Sequence, residues 1–345
     1  MEVAGPAAQA LKSLTSAQLD FLRLLPKAEL HAHLNGSIPL STLKELATEF
    51  LATNSASSKS GDAVREGIEI LTVGPTLDEL NDFFSLFPAI YALTSTPDAL
   101  ARATRAVLSV FLDGDVPQCS YLELRTTPKK TGAMDMEKYI RVVLEEMDRY
   151  GREKVALIVS TDRRMDTKTL EAIVGLACKL REEGERVVGI DLCGDPLAGE
   201  MDLFAPYFAR AKQAGLGLTL HIAETIHNTP QDTLKLLKNG PDRLGHATFL
   251  NEEAIAIVLE KKMCIEICLT SNLICKTASD LETHHIQQYL KVDHPITICT
   301  DDILPFKTSL VAEYALLIAR PPFGLGLNEA QVKRIAEMSL EAAFK

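Results

Sequence analysis

Two histidines occur close together in the segment AELHAHLNGSI, residues 28–38, of a chain that has only eight histidines. His31 and His33 are two positions apart, so on a β-strand their side chains point to the same face. Imidazole is a common ligand of divalent metals. The H-x-H spacing alone is a weak signal, because surface histidines also produce it by chance. A metal site here requires further ligands from other parts of the chain.

Further side chains of the right types end or follow other apolar runs. His221 ends one run, with Glu224 three residues later, and His246 ends another. Asp301 and Asp302 end the last such run. Any one of these histidines could instead be a buried imidazole satisfied by a backbone carbonyl. Taken together, three histidines and an aspartate favour a divalent metal, with Zn²⁺ as the best match and an open position for water.

The remaining polar groups are those that a metal-assisted hydrolysis needs. A bound metal lowers the pKa of its water and so provides hydroxide as a nucleophile. Glu224 is then the candidate proton donor, and His246 the candidate group that orients and deprotonates the water. Asp301 would bind the metal, which leaves Asp302 free to hydrogen-bond the substrate. The aspartate pair also fits a structural alternative, the N-cap of a helix that follows the last strand.

The elements that must position these groups form a regular alternation of short β-rich runs and longer helical patterns. The predicted strands are residues 28–34, 119–126, 154–160, 186–192, 216–222, 243–248, 263–269 and 296–302. Eight such runs with helices between them predict an α/β fold, a TIM-type (β/α)8 barrel. A doubly wound open sheet is the alternative, but no glycine-rich phosphate-binding motif follows the first strand. In a barrel, catalytic residues project from the carboxyl ends of different strands, which is where the candidates lie.

The connection after the first strand, residues 35–118, is longer than one helix requires. It contains the aperiodic segment ATNSASSKSGD, residues 52–62, which predicts a flexible surface insertion. The stretch that follows has the apolar periodicity of helices. We therefore expect extra helices inserted after the first strand, over the carboxyl end of the barrel. No linker or internal repeat divides the chain, so we expect one domain over residues 1–345.

Composition narrows the class of protein further. The hydrophobic fraction of 46% and the charged fraction of 24% are those of a globular protein with a large core. A net charge of −11 argues against binding to nucleic acid or to anionic membranes. No apolar run approaches 18 residues, and no signal peptide is evident. The seven scattered cysteines do not suggest a disulfide framework, so we expect a cytosolic protein.

Several motifs, in their order along the chain, resemble those of the adenosine/AMP deaminase family of metal-dependent hydrolases. They are PKAELHAHLNGSI (26–38), HIAE (221–224), RLGH (243–246), LTSN (269–272) and CTDD (299–302). The resemblance implies a barrel enzyme with one Zn²⁺ per chain that hydrolyses the bond between purine C6 and its exocyclic nitrogen. It implies that the metal ligands are His31, His33, His221 and Asp301. It further implies that Glu224 protonates purine N1, that His246 handles the attacking water, and that Asp302 meets purine N7.

Other segments resemble the branch of that family that acts on N6-substituted AMP. They are ALTSTP (92–97), CSYLELRTTPKKTGAM (119–134), STDRR (160–164) and LCGDP (192–196). The reaction implied is the conversion of N6-methyl-AMP to IMP and methylamine. Asn35 supports a nucleotide on physical grounds, because family members that act on the nucleoside carry an aspartate there. A neutral amide can donate to a phosphate, which a carboxylate would repel.

The same branch resemblance implies a set of substrate contacts around this amide. The expected set is His33, Asn35, Tyr91, Arg125, Thr126, Thr127, Pro128, Asp162, Gly194 and Asp302. Arg125 and the two threonines would offer a cation and hydroxyl groups to the phosphate, and Lys129 and Lys130 follow them. A solvated basic turn is the alternative interpretation of that stretch. Tyr91 replaces a family histidine, so it can form a hydrogen bond but carries no charge near neutral pH.

Two other functions remain open at this point. The chain could be a sister enzyme that deaminates adenosine or adenine, or a purine-binding protein of the same fold without activity. Because Glu224 and all the candidate metal ligands are present, a catalytic protein is favoured. The expected partner is a purine nucleoside monophosphate, with no nucleic acid and no membrane, and the expected oligomeric state is a monomer.

Overall fold

A parallel sheet of eight strands, each paired with its neighbours in chain order, forms the centre of the molecule. The structure is a computed structural model that describes residues 2–53, 62–73 and 86–344. The strands are β1 (Ala28–His33), β2 (Tyr121–Thr126), β3 (Val155–Asp162), β4 (Val187–Cys193), β5 (Gly217–Ile222), β6 (Arg243–His246), β7 (Cys264–Ile267) and β8 (Ile296–Ile298). A parallel bridge between Ala32 and Asp301 brings the end of the sheet back to its start. The predicted (β/α)8 barrel and all eight predicted strands are confirmed.

Helices cover the outside of this barrel. In the described residues they are α1 (Gly5–Ser13), α2 (Ser16–Leu24), α3 (Leu40–Thr53), α4 (Asp62–Val73), α5 (Phe87–Leu93), α6 (Pro97–Leu112), α7 (Met136–Met147), α8 (Thr167–Glu182), α9 (Ala205–Gln213), α10 (Pro230–Leu237), α11 (Glu252–Lys261), α12 (Leu269–Ile274), α13 (Ile286–Leu290), α14 (Ile303–Phe306), α15 (Leu310–Ile318) and α16 (Glu329–Glu341). Many begin at a side chain that accepts a backbone N–H, such as Asp135 before α7 and Asp166 before α8. These caps satisfy amide groups that the first turn leaves without a partner.

The strands are buried along almost their whole length, as expected for a sheet enclosed by helices. Alternate side chains therefore point either to the helices or into the barrel. In β2, for example, Leu122 and Leu124 belong to the main apolar core, whereas Glu123 and Arg125 form ion pairs with residues of other strands. The barrel interior is thus unusually rich in charge, and its charged groups support the site described below.

The long connection after β1 contains α3 to α6, which agrees with the prediction of helices inserted there. Helix α5 packs against the short 3-10 turn Asn35–Ser37 that follows β1. Of the predicted insertion at 52–62, residues 52 and 53 belong to the end of α3 and residue 62 to the start of α4. Its centre, residues 54–61, lies outside the described residues. None of the described helices has the length and apolar character that a membrane span needs.

Candidate active site

The candidate metal ligands come together at the carboxyl end of the barrel. His31 and His33 lie at the end of β1, His221 near the end of β5, and Asp301 three residues after β8. The Nε2 atoms of His33 and His221 are 3.3 Å apart. Asp301 Oδ1 is 3.7 Å from His33 Nε2 and 3.9 Å from His31 Nε2. Four side chains from three segments that are far apart in sequence therefore direct ligand atoms to one point.

The protonation and orientation of two of these histidines are determined by buried carboxylates. His31 Nδ1 donates to Glu266 Oε2 on β7 at 2.5 Å, and His221 Nδ1 donates to Asp191 Oδ1 on β4 at 3.0 Å. With the proton on Nδ1, each ring turns its Nε2 lone pair toward the shared point. Carboxylate–histidine pairs of this kind typically orient metal ligands. Neither Asp191 nor Glu266 was among the residues predicted from the sequence.

These residues fit a divalent cation. The Nε2 atom of His31 is fully buried and has no hydrogen-bond partner in the described residues, which is costly unless another ligand satisfies it. Burial lowers the pKa of His33 to about 3 and the pKa of His31 well below its usual value, so both rings are neutral. Neutral imidazole is the form that binds a metal. Cys268 also lies within reach of His31 and Asp301, but burial raises the pKa of its thiol.

His221 differs from the other two rings. Burial lowers its pKa and the adjacent Asp191 raises it, and the net shift is upward. The same contact, together with Arg125, lowers the pKa of Asp191 although burial alone would raise it. Asp191 therefore stays ionised. Its negative charge can stabilise a positive charge at the His221 ring, whether that charge comes from a proton or from a bound metal ion.

The two candidate catalytic groups lie beside this cluster. His246 Nε2 is 3.8 Å from Glu224 Oε1 and 3.9 Å from Asp301 Oδ2. His285 Nε2 donates to the His246 carbonyl at 2.9 Å, and Ser271 Oγ donates to Asp301 Oδ2 at 2.9 Å. Glu224 is about one-third exposed, whereas His246 is buried. The partly exposed carboxyl group of Glu224 and the buried ring of His246 thus lie on the same side of the histidine–aspartate cluster.

Asp302 points into the same space and is left without a partner. Its Oδ1 atom is buried and accepts no hydrogen bond in the described part of the chain. Burial raises the pKa of Asp302 well above its usual value, and Asp301 and Glu224 add to this shift. The helix-cap alternative is not supported, because Asp302 precedes α14 but its side chain makes no cap hydrogen bond. Gly36 leaves room for this carboxyl, since a Cβ atom at position 36 would collide with it.

The backbone of the site is strained at several of these residues. His246 has a φ of 61° and Asp301 a φ of 60°, and Ala223 and Ala247 also have positive φ values. Residues other than glycine adopt this region at a cost, and such residues cluster at functional sites. The strained turns direct the His246 and Asp301 side chains into the barrel mouth.

Glu29 is a third residue that sequence reasoning missed. Its carboxylate accepts the His31 N–H at 2.8 Å and the Thr300 N–H at 2.9 Å. It therefore joins β1 to the segment after β8, where the strands share only one backbone bridge, and it holds the two ligand-bearing segments together. Burial raises its pKa to about 7. The available signal was a carboxylate inside an apolar strand, which also applies to Asp191 in GIDLC and Glu266 in CIEIC.

The candidate substrate residues fall into two groups, and the first surrounds Asn35. Thr126 Oγ1 and Tyr139 Oη are 2.9 Å apart, and Tyr139 Oη donates to Asn35 Oδ1 at 3.5 Å. The Nδ2 group of Asn35 is buried and has no hydrogen-bond partner among the residues that the structure describes. Thr126 thus faces Tyr139 on α7, away from the barrel axis. It is linked to Asn35 through the Tyr139 hydroxyl group, which bonds both residues.

The second group lies around the ends of β2, β3 and β4. Thr127 Oγ1 is 3.9 Å from Cys193 Sγ, and the neighbouring Pro128 is buried. Gly194 has a φ of 90°, and a Cβ atom there would lie 2.6 to 2.8 Å from the Asp162 carboxylate. Asp162 is paired with Arg164 at 2.6 Å. Tyr91 on α5 has its ring 4.4 Å from Lys129 Nζ.

Arg125 does not lie where the sequence suggested. Its guanidinium is fully buried inside the barrel, 3.3 Å from Asp191 Oδ1 and 3.0 Å from Glu266 Oε2, and it also donates to the Leu30 carbonyl. The alternation of β2 turns this side chain inward, together with Glu123. Arg125 contacts both carboxylates that orient the candidate metal ligands His31 and His221, and its side chain lies inside the barrel and not at the mouth.

Comparison with known proteins agrees with this geometry. The model of the adenosine deaminase family matches residues 26–345. The N6-mAMP deaminase of Arabidopsis thaliana is 35% identical over 353 residues, covering 94% of each chain. The human N6-methyl-AMP deaminase is 36% identical over 341 residues, covering 94% of this chain and 90% of its own.

A solved structure of a related protein is also similar to this chain. A structure of Arabidopsis ADAL complexed with IMP superimposes with a TM-score of 0.81 at 33% identity and covers 94% of each chain. The match therefore extends over the barrel, the inserted helices and the site. The chain belongs to the adenosine deaminase family.

Proposed function

We propose that the protein hydrolyses N6-substituted AMP, converting N6-methyl-AMP to IMP and methylamine. The observation that carries the proposal is the convergence of three histidines and Asp301 beside Glu224 and His246 at one end of the barrel. Relatives named as N6-methyl-AMP deaminases and a related structure that contains IMP support a nucleotide substrate. Asn35 supports it independently, because its amide can donate to a phosphate.

One Zn²⁺ per chain would be held by His31, His33, His221 and Asp301. When bound, such a cation polarises a water and lowers its pKa toward neutrality. Glu266 and Asp191 hold the His31 and His221 rings in the orientation that metal binding needs. The Nε2 atom of His31, which is buried and has no hydrogen-bond partner in the described residues, supports this assignment.

The protein's own groups would then carry the protons. His246 orients the water and accepts its proton as the oxygen attacks purine C6. Glu224 donates a proton to purine N1, so that negative charge does not build up on the ring. Asp302, whose raised pKa favours the protonated form, meets purine N7 as a donor. The remaining O–H proton passes to the Glu224 carboxylate as the C6 carbonyl forms, and His246 gives the proton it took from the water to the exocyclic nitrogen. The bond from C6 to that nitrogen then breaks, and methylamine leaves.

His33, Asn35, Tyr91, Thr126, Thr127, Pro128, Asp162 and Gly194 would line the rest of the substrate site. Thr126 contributes through the Tyr139 hydroxyl, and Gly194 allows close approach to the backbone. We further propose that the protein acts as a cytosolic monomer with one catalytic domain, and that it has no nucleic-acid or membrane partner.

Product analysis tests this function directly. Zinc-loaded protein is offered N6-methyl-AMP, AMP, N6-methyladenosine and adenosine separately, and IMP, inosine and the released amine are quantified. The proposal predicts stoichiometric IMP and methylamine from N6-methyl-AMP, with much slower turnover of both nucleosides. Preferred turnover of adenosine would instead assign the protein to the nucleoside deaminases. Protein carrying Glu224→Gln, purified in the same way, controls for contaminating deaminase.

A further inference from the structure

The turn that follows β6 places the candidate catalytic residue His246 in a strained backbone conformation. His246 and Ala247 have φ values of 61° and 49°, a region that residues other than glycine rarely adopt. The backbone pairing of β6 with β7 ends at Gly245 and Glu266, so the His246 carbonyl lies beyond the ladder. A buried carbonyl needs a donor, and a strained peptide persists only where its surroundings fix it. The direction of the His246 ring therefore depends on the groups that hold this turn.

The peptide that joins His246 to Ala247 is held from opposite sides by two segments. Its N–H donates to the Ile222 carbonyl of β5 at 3.1 Å. Its carbonyl accepts from His285 Nε2 at 2.9 Å. Because the N–H and C=O groups of a trans peptide point in opposite directions, the two bonds together fix the rotation of the peptide plane. His285 supplies the side-chain half of this arrangement.

The ring of His285 is in the form that this bond requires. A carbonyl only accepts, so the hydrogen lies on Nε2. Burial lowers the pKa of His285 to about 4, and the ring is therefore neutral near pH 7. Its Nδ1 atom is buried and has no hydrogen-bond partner among the described residues. The single N–H of the ring is thus committed to the His246 carbonyl.

His284 and Asn272 hold the His285 ring in place. The His284 ring stacks on it, with centroids 4.4 Å apart and an angle of 23° between the planes. His284 Nδ1 accepts a backbone N–H, and its Nε2 donates to Asn272 Oδ1 at 3.0 Å. Asn272 Nδ2 in turn donates to Thr248 Oγ1 at 3.3 Å. The segment between β7 and β8 therefore contacts the strained turn at two points, the His246 carbonyl and the Thr248 hydroxyl.

We propose that His285 is a positioning residue for the deamination, which holds the His246 carbonyl and so directs the His246 ring at the attacking water. This inference rests on the proposed function, because it takes His246 as the group that handles the water. The His246 Nε2 atom lies 3.8 Å from Glu224 Oε1 and 3.9 Å from Asp301 Oδ2. Without the donor on His285 the peptide can rotate and displace the ring, and a displacement of about 1 Å can cost about 10²-fold in rate.

The test compares variants that differ in the reach of one donor. His285→Gln can place its amide nitrogen near the position of Nε2, whereas His285→Asn is too short and His285→Phe has no donor. We expect His285→Asn and His285→Phe to lower kcat for N6-methyl-AMP by about 10- to 100-fold, with KM and zinc content close to the parent values. His285→Gln should recover most of the lost kcat. The thermal midpoint of each variant separates loss of folded protein from loss of position.

His294 provides a matched control. It is buried, and its Nε2 also donates to a backbone carbonyl, that of Met263 at 2.7 Å, immediately before β7 at the amino end of the barrel. His294→Asn should lower the thermal midpoint but leave kcat per folded molecule at the parent value. Parent-like kcat in His285→Asn, equal losses of kcat in His285→Gln and His285→Asn, or a loss in His294→Asn as large as in His285→Asn would each overturn the proposal.

Nuclear magnetic resonance of the His246 ring separates this inference from the proposed reaction. Zinc-loaded protein is isotope-labelled at its histidines, and the His246 signals are assigned by their loss in His246→Gln. These signals should shift or broaden in His285→Asn and stay close to the parent positions in His285→Gln and His294→Asn. That pattern would support the positioning role even if N6-methyl-AMP were not turned over. Turnover of N6-methyl-AMP with unchanged His246 signals and unchanged kcat in His285→Asn would overturn the positioning role and leave the proposed function intact.

Discussion

The two ends of the barrel each contain a buried arginine, and their surroundings differ sharply. At the amino end, Arg243 bonds Glu123 at 2.6 Å, Glu266 at 2.7 Å and the Ala342 carbonyl at 2.9 Å, and its guanidinium stacks 3.7 Å from the Phe344 ring. At the carboxyl end, Arg125 pairs with Glu266 and Asp191, but its Nε and Nη1 atoms have no hydrogen-bond partner. Every guanidinium nitrogen of Arg243 therefore has an acceptor, whereas two nitrogens of Arg125 have none in the described residues.

The amino end is closed by the last residues of the described chain. Phe344 N–H donates to Glu123 Oε1 at 2.5 Å, and Tyr121 Oη donates to the Phe344 carbonyl at 3.1 Å. The ring fits only because β4 and β5 carry glycine there, since a Cβ atom at Gly189 or Gly217 would lie within 2.7 Å of it. This arrangement excludes water from the ion pairs of the barrel interior.

The carboxyl end instead retains buried polar atoms that have no hydrogen-bond partner in the described part of the chain, namely His31 Nε2, Asn35 Nδ2 and Asp302 Oδ1. Strained backbone at His246 and Asp301 lies at the same end. Such groups lower the stability of a fold and are retained where a ligand satisfies them. The comparison indicates that stability is concentrated at the amino end and ligand binding at the carboxyl end.

Glu266 connects the two ends. Its Oε1 accepts from Arg243 and from Thr219, and its Oε2 accepts from His31 and from Arg125. Burial raises its pKa, but the two arginines dominate and lower it to about 2, so it stays ionised. The orientation of His31, a proposed metal ligand, therefore depends on a charge network that extends through the barrel.

Loss of a metal ligand should have the largest effect. Asp301→Ala and His33→Ala should each lose stoichiometric zinc and reduce turnover of N6-methyl-AMP to background, because each removes an atom from the shared point. Elemental analysis and a turnover assay measure both quantities. Asp20→Ala, at an exposed position on α2, is the control. Unchanged zinc in both ligand variants would refute the assignment.

Glu224→Gln should affect the chemistry without affecting the metal. The amide keeps the size of the side chain but cannot donate the proton, so kcat should fall by about 10²–10⁴-fold. Zinc content and the thermal midpoint should remain those of the parent. Near-normal turnover would assign the proton donor to another residue.

Arg125→Met tests the positioning role at the carboxyl end. Without the guanidinium, Asp191 and Glu266 lose their shared partner, and the His31 and His221 rings are less well fixed. Loss of a residue that orients metal ligands typically costs about 10–100-fold in metal affinity. Competition with a chromogenic chelator measures the zinc affinity, and Arg125→Lys tests partial rescue. Tight zinc binding combined with a selective loss of nucleotide affinity would instead indicate that Arg125 contacts the substrate phosphate.

Phe344→Ala should have the smallest effect on activity and a clear effect on stability. A fully buried phenylalanine contributes about 3–5 kcal/mol, and this partly buried one should contribute about 2 kcal/mol. Denaturant unfolding measures the loss, with Phe323→Ala at a 43%-exposed position as control. Activity per folded molecule should be retained. A large fall in kcat with unchanged stability would mean that the two ends are not separable as described.

The sequence predicted the barrel because alternating apolar runs and helical periodicity are local signals. It also predicted the end of the barrel at which His31, His33, His221 and Asp301 meet, since parallel strands bring their carboxyl ends together. The family resemblance added the proposed roles of Glu224 and His246, which spacing alone left open.

The prediction failed where the direction of a side chain mattered. Arg125 lies near the end of the β2 strand and was expected at the mouth of the barrel. The alternation of side chains along β2 instead points it into the barrel interior, as it does Glu123. Asp191, Glu266 and Glu29 were passed over because an acid within an apolar strand has no local signature of its partner. Their partners come from other strands, so only the assembled barrel shows that they orient the ligands.

Zinc reconstitution tests the central claim most directly. Protein stripped of metal with a chelator is titrated with Zn²⁺ while IMP formation from N6-methyl-AMP and bound zinc are measured in the same samples. The account predicts no turnover without metal and a linear rise that ends at one zinc per chain. Full turnover by metal-free protein, or saturation with zinc without any IMP formation, would contradict it.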